Sequence, residues 1–121
     1  MATTLVVDGA NTVGSRPDGW WKDRAAAARR LHEALMVADT SYDVIVLVLE
    51  GEAKGGVVAV ARRVHGAHVG VAPGDDTIVA QARAAAERGD RVAVVTADRL
   101  LKARVARYAD IQTPTWLLDQ L

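Results

Sequence analysis

The chain has 121 residues, half of them hydrophobic, with fifteen basic and fifteen acidic residues and no cysteine. This length suits a single domain over residues 1–121, and the hydrophobic content is sufficient for a core. The lack of cysteine excludes disulfides, thiol nucleophiles and cysteine-ligated metal sites. The net charge of zero argues against a protein that holds nucleic acid by bulk charge, so such binding would need a local patch or metal ions.

The sequence also limits where the protein works. No apolar run is long enough to span a membrane. The first residues lack the charged region and the cleavage site of a signal peptide. We therefore expect a cytoplasmic protein with no membrane partner.

Short apolar runs alternate with alanine-rich helical runs along the chain. The predicted strands cover residues 5–7, 43–49, 68–72 and 91–96, with a short strand over 110–112. The spacing of apolar residues predicts helices over 23–38, 75–88 and 98–108, and a last helix that begins at Thr113-Pro114. Residues 57–64 fit an edge strand or a short helix. We expect an α/β three-layer sandwich with a mostly parallel central sheet flanked by helices.

Acidic residues follow four of the predicted strands. Asp8 follows the first strand, Glu50 the second, Asp75 and Asp76 the third, and Asp98 the fourth. The carboxyl ends of parallel strands meet at one edge of the sheet, where such sheets bind ligands. Carboxylates gathered there repel one another unless a cation joins them. Oxygen ligands without cysteine suit Mg²⁺ or Mn²⁺, and a water that Mg²⁺ retains can serve as the nucleophile.

Each acid alone also has a purely structural explanation. Asp8 could end a strand in a turn, Asp98 and one of the pair Asp75–Asp76 could cap helices, and Glu50 could be a solvated loop residue. We favour the metal site because all of these acids depend on the same predicted edge.

Polar and basic residues near the acids are candidates for substrate binding. Asn11 and Thr96 could orient the carboxylates or contact a phosphate, and Arg16 and Arg99, which follow Asp8 and Asp98 in the sequence, could contact phosphates. The pair Trp20-Trp21 could stack on bases, although we favour packing of at least one of them against the following helix.

Three motifs together resemble the NYN domain of PIN-like ribonucleases, and in particular the YacP-like bacterial proteins. They are Leu5-Val6-Val7-Asp8-Gly9-Ala10-Asn11, Gly74-Asp75-Asp76-Thr77-Ile78 and Val94-Val95-Thr96-Ala97-Asp98-Arg99. The similarity extends over nearly the full chain to Trp116-Leu117-Leu118. It implies a PIN-like fold and metal-dependent cleavage of RNA.

The same resemblance assigns roles to individual residues. It implies Asp8, Asp76 and Asp98 as the catalytic acids, with Asp75 beside them. Glu50 lies where related domains often carry an Asp before Gly at the end of the second strand. Since the chain carries no appended RNA-binding domain, substrate selection could come from a protein partner. The apolar residues Val57 to Val60 could form an exposed edge through which the chain forms a homodimer.

We therefore expect an Mg²⁺- or Mn²⁺-dependent ribonuclease, with RNA as its partner. The metal ligands would be Asp8, Glu50, Asp75, Asp76 and Asp98. We also expect Asp8→Asn to preserve or stabilise the fold, because repulsion falls, while abolishing cleavage. Two alternatives remain open at this point: a non-catalytic RNA-binding or protein-interaction module on the same fold, and a phosphatase that acts on a small molecule.

Overall fold

Strands and helices alternate along the chain as the apolar pattern predicts. The computed structural model describes residues 2–15, 19, 22–38, 41–49, 62–64, 67–72 and 75–121. Within them the strands are β1 (Thr3–Asp8), β2 (Val44–Val48), β3 (Arg62–Val64), β4 (Ala67–Ala72), β5 (Arg91–Val95) and β6 (Asp110–Gln112). The helices are α1 (Gly9–Gly14), α2 (Arg24–Val37), α3 (Asp75–Glu87), α4 (Arg99–Val105) and α5 (Pro114–Leu118).

The strands form one sheet in the order β3-β4-β2-β1-β5-β6. All neighbouring pairs are parallel except β3 and β4, which are antiparallel. Leu5 at the centre of β1 pairs with Ile45 of β2 on one side and with Ala93 of β5 on the other. The predicted α/β architecture with a mostly parallel sheet is confirmed.

Two hydrophobic layers cover the two faces of the sheet. Side chains alternate along β1, so that Leu5 and Val7 face one layer while Val6 faces the other. The first layer is completed by α1, α2 and α5, and the second by α3 and α4. Both faces are therefore buried, which explains why the strands are almost continuously apolar. No helix in the described part of the chain is long and apolar enough to cross a bilayer.

The chain adds strands on one side of β1 and then on the other. The chain passes from β1 to β2 and β4 on one side, and α3 then carries it across to β5 on the other side. Open α/β sheets bind ligands at such a switch point, outside the carboxyl ends of the strands. The ends of β1 and β5 are therefore the place to look for a site.

The helix ends follow the predicted capping pattern, with one helix unforeseen. Asp23, Asp98 and Thr113 each accept a backbone hydrogen bond at the start of α2, α4 and α5. Helix α1 follows β1 without a loop, where the sequence suggested a turn. The ambiguous segment 57–64 forms an edge strand over Arg62–Val64. The predicted dimer edge, Val57 to Val60, lies outside the described residues.

The direct passage from β1 into α1 depends on Gly9. A Cβ atom built there would lie 2.5 Å from Leu49 Cδ2 and 2.6 Å from the Val48 carbonyl oxygen. The backbone oxygen belongs to the central sheet and cannot move aside at low cost. We expect Gly9→Ala to lower the free energy of unfolding by about 3 kcal/mol, the upper end of the usual range for overpacking.

Denaturant unfolding measures this effect, with Gly89→Asn as the control. Gly89 has a φ of 86°, which L residues rarely adopt, and no atom lies within 4 Å of its built Cβ, so an asparagine there meets backbone strain but no neighbouring atom. Asparagine tolerates this backbone region, and we expect a change below about 1 kcal/mol. Equal stability of Gly9→Ala and the wild type would show that β1 and α1 need no such close approach to β2.

Candidate active site

The carboxylate of Asp8 ends the central strand and caps the helix that follows it. The residue is 4% exposed. Its Oδ2 accepts hydrogen bonds from Asn11 Nδ2 at 2.9 Å and from Thr96 Oγ1 at 2.8 Å. Its Oδ1 accepts a longer bond of 3.4 Å from the Asn11 backbone N–H. The buried carboxylate is thus held in one orientation by donors from α1 and from the end of β5.

Asn11 and Thr96 both connect Asp8 to the loop between β5 and α4. Thr96 Oγ1 donates to Asp8 and accepts from the backbone N–H of Asp98 at 3.1 Å. Asn11 Nδ2 donates to Asp8, while its Oδ1 accepts from the backbone N–H of Ala97 at 3.3 Å. These two polar side chains therefore join the carboxyl ends of β1 and β5.

Asp98 enters the site as the N-cap of α4. Its Oδ1 accepts the backbone N–H groups of Leu100 at 2.9 Å and Leu101 at 3.0 Å. All of the side-chain hydrogen bonds found for this carboxylate in the described structure use Oδ1. The cap fixes the side chain while Oδ2 remains available to a ligand.

The two acids of α3 lie in different surroundings, although they are adjacent. Asp76 is exposed, and its Oδ1 accepts a hydrogen bond from Arg104 Nη2 at 2.9 Å, which forms an ion pair between α3 and α4. Asp75 has a raised pKa, first because of its partial burial and then because of the negative charges of Asp8 and Asp98. Arg104 lowers the pKa of Asp75 but does not cancel the rise.

Carboxylates from the ends of three strands therefore influence one another. Asp8 follows β1, Asp75 follows β4 and Asp98 follows β5, and these strands lie within one run of four neighbours in the sheet. The charges of Asp8 and Asp98 act on Asp75, as expected of acids that the strand order brings to one edge of the sheet. Their oxygen donors have the chemistry that Mg²⁺ and Mn²⁺ prefer.

Of the other predicted site residues, Arg99 lies in the described part of the chain. Arg99 is exposed at the start of α4, next to Asp98. Glu50, Arg16 and the pair Trp20-Trp21 lie outside the described residues. In the part of the chain that the structure describes, no group of three or more His, Asp or Glu side chains is arranged to hold one ion. The metal ligands therefore remain predictions.

Arg104 is a site residue that the sequence analysis did not single out. It lies 28 residues from Asp76, so spacing along the chain gives no sign of their ion pair. The available signal is the run of basic residues that follows Asp98 with no intervening acid.

A cavity of about 240 Å³ lies at the opposite edge of the sheet. Its lining includes Tyr42, Arg91 and Asp110 near the amino ends of β2, β5 and β6. Burial and the charge of Asp110 raise the pKa of Tyr42, whose ring packs edge-on against Trp116. None of the clustered acids lines this cavity.

The fold is shared with a solved bacterial protein. The crystal structure of Rae1 (YacP) from Bacillus subtilis, determined for a mutant, matches with a TM-score of 0.64 at 18% sequence identity. The match covers 97% of this chain and 73% of that chain. No protein-family model and no curated protein matches the sequence. The comparison shows that this chain shares the fold of that protein.

From the sequence we expect Asp8→Asn to preserve or raise stability, but the three hydrogen bonds that Asp8 accepts predict a loss instead. In Asp8→Asn an amide NH₂ must face a donor, either the Asn11 backbone N–H or the pair Asn11 Nδ2 and Thr96 Oγ1. We expect a loss of about 1 kcal/mol, the usual cost of one hydrogen bond. Asp98→Asn keeps Oδ1 for both cap bonds and should change stability by less than about 0.5 kcal/mol. Urea unfolding of both variants in EDTA distinguishes them, and a stabilised Asp8→Asn would show that repulsion dominates.

The raised pKa of Asp75 predicts a pH-dependent gain for Asp75→Asn. The folded pKa lies above the unfolded value of 3.8. The wild type therefore loses stability as the pH rises from the unfolded pKa through the higher folded pKa of Asp75, and the loss persists at neutral pH. In EDTA at pH 7 we expect the variant to unfold roughly 2–4 °C higher, since exposed charges contribute about 0.5 kcal/mol.

Thermal unfolding at two pH values tests this expectation. Well below pH 3.8 the Asp75 carboxyl of the wild type is protonated in both the folded and the unfolded state. The rise in unfolding temperature of Asp75→Asn should therefore vanish. Asp76→Asn is the matched control, because it removes a charge one residue away that is paired with Arg104, and it should give no gain. The same gain at low pH, or an equal gain from Asp76→Asn, would contradict the electrostatic explanation.

Proposed function

We propose that this chain is a metal-dependent ribonuclease that hydrolyses RNA phosphodiester bonds at the carboxyl ends of β1, β4 and β5. The observation that supports the proposal is the hydrogen-bonded edge of β1 and β5, where Thr96 joins the buried Asp8 carboxylate to the backbone of Asp98. Asp75, which follows β4, is close enough for the charges of both acids to act on it. The YacP-type fold and the sequence motifs agree with this assignment.

The donor set suits a hard divalent cation. The acids contribute only oxygen ligands, and their repulsion would fall when a cation bound among them. Asp8, Asp98 and the pair Asp75–Asp76 would hold Mg²⁺ or Mn²⁺, together with Glu50. Such a cation would supply charge neutralisation at the phosphate and activation of a water molecule.

The residues of the chain itself fix the geometry of this site. Asn11 and Thr96 hold the Asp8 carboxylate in one orientation, as hydrogen-bonded partners do around metal ligands. The cap bonds from Leu100 and Leu101 hold Asp98 by one oxygen. Arg99 places a guanidinium one residue from Asp98, where it could hold a phosphate of the substrate.

Asp75 and Asp76 can be ranked by their surroundings. Asp75 is coupled to Asp8 and Asp98, whereas Asp76 forms an ion pair with Arg104. We therefore assign the larger role to Asp75, although the resemblance implies Asp76. If Asp76→Asn lost more activity than Asp75→Asn, the assignment from the resemblance would be the better one.

Cleavage of a mixed-sequence single-stranded RNA tests the proposal. We expect wild-type products in Mn²⁺ or Mg²⁺ and none in EDTA. Asp98→Asn should lower the rate by roughly 100-fold or more, because it removes a charged ligand while preserving the cap. Asp110→Asn is the matched control, since this exposed acid lies at the opposite edge of the sheet, and its rate should equal that of the wild type.

A second measurement separates metal binding from catalysis. Mn²⁺ should raise the unfolding temperature of the wild type, since a ligand that binds only the folded state stabilises it, and the rise should be smaller in Asp98→Asn. RNA binding that is unaffected by EDTA, without cleavage, would favour the non-catalytic module. Metal-dependent turnover of a small phosphate ester alone would favour a phosphatase.

A further inference from the structure

Positive charge is concentrated in one short segment of the chain. Residues 99–107 contain four basic residues and no acid, namely Arg99, Lys102, Arg104 and Arg107. The rest of the chain carries eleven basic and fifteen acidic residues. The zero net charge therefore conceals a local basic patch on an otherwise acidic protein.

This basic segment is helix α4 and its C-terminal turn, and it starts at the candidate site. Asp98 caps the helix, so the first cation follows the acid directly. Leu101 and Val105 are buried in the core, which turns the opposite side of the helix toward solvent. Arg99 and Arg107 are exposed and Lys102 is partly exposed.

Most of these cations are not neutralised by the protein. Arg104 pairs with Asp76 at 2.9 Å. Among the described residues, Arg99, Lys102 and Arg107 form no ion pair, and Arg107 lies over the Tyr108 ring at 5.4 Å from its centroid. Three positive charges on the outer side of α4 are therefore available to an anionic partner.

An exposed leucine interrupts the row of cations. Leu100 is 81% exposed, the most exposed large hydrophobic residue in the described structure. It lies four residues before Arg104, so these two residues share one side of the helix, and Arg107 follows in the C-terminal turn. A single apolar side chain among cations suits a nucleobase beside its phosphates better than a lipid or protein surface, which would need a broader apolar face.

We propose that the outer face of α4 binds the backbone of single-stranded RNA, with Arg99, Lys102 and Arg107 on phosphates and Leu100 against a base. The assignment of RNA rests on the proposed function, since the face begins at the acids that would cleave it. Helix α4 has seven residues and is about 10 Å long, and Arg107 lies in the turn that follows. The three cations along this segment can contact roughly three phosphates, one each.

Salt-dependent RNA binding in EDTA tests the proposal without any need for cleavage. The test variant is Arg99→Gln/Lys102→Gln/Arg107→Gln, and the probe is a short fluorescent polyuridine. Each phosphate contact contributes about 0.7 to the slope of log affinity against log salt for a single strand. We expect the slope to fall in magnitude by about 2, with an affinity at least tenfold weaker at low salt.

A charge-matched control lies on the other face of the sheet. The variant Arg24→Gln/Arg29→Gln/Arg30→Gln removes three cations from α2, which packs in the opposite layer, and its slope should match that of the wild type. Leu100→Ala should weaken binding without changing the slope, because a base contact releases no counterions. Should the test variant fail to unfold cooperatively, Lys102→Gln alone should still lower the slope by about 0.7.

The outcomes separate this proposal from the nuclease itself. If the wild type binds RNA with the expected slope but cleaves nothing, the nuclease proposal fails while the RNA-binding face is supported. If the wild type cleaves RNA but the test variant keeps the wild-type affinity and slope, the face on α4 is wrong and the nuclease stands. The RNA-binding face on α4 would also be wrong if the α2 control lost as much slope as the test variant, or if the wild type bound no RNA in EDTA.

Discussion

The buried carboxylate of Asp8 is the group on which the geometry of the candidate site depends. It ends the central strand, and a carboxylate so little exposed is tolerated only when hydrogen-bond donors surround it. Those donors come from Asn11 and Thr96, which also bind the loop that leads to Asp98. The position of one acid therefore fixes the position of another that lies 90 residues away in the sequence.

The topology of the sheet explains why the acids meet. Strands β1 and β5 are neighbours only because α3 carries the chain back across the sheet. The switch in direction leaves their carboxyl ends between helices of the two opposite layers. Asp75 comes to the same edge because it starts α3 directly after β4, which lies two strands from β1. Burial, together with the charges of Asp8 and Asp98, raises the pKa of Asp75, and Asp76 on the same helix adds to the rise.

Much of this arrangement could be predicted from the sequence, because strand ends and helix caps have local signals. The apolar runs located β1, β2, β4 and β5, and the strand order then placed their acids at one edge. The helix α1 was missed because its residues, Gly9–Gly14, are small or polar and have no apolar period. Its N-cap, Asp8, looks like the start of a turn when only the sequence is considered.

The finer features of the site depend on contacts between distant residues. Successive helical residues point about 100° apart, so the sequence cannot show that Asp75 faces the other acids while Asp76 faces Arg104. The hydrogen bond from Thr96 to Asp8 joins residues that are 88 positions apart. The sequence therefore cannot show that Asp8→Asn loses stability by disturbing it.

Arg104 lies where the acidic and basic parts of this surface meet. It pairs with Asp76 on α3 and lowers the pKa of Asp75, yet it belongs to the basic helix α4. Under the two proposals, a divalent cation among the acids would compete with Arg104 for Asp76. The released guanidinium would then add a fourth positive charge to the RNA-binding face. Because such linkage is reciprocal, RNA on α4 would draw Arg104 from Asp76 and strengthen binding of the cation.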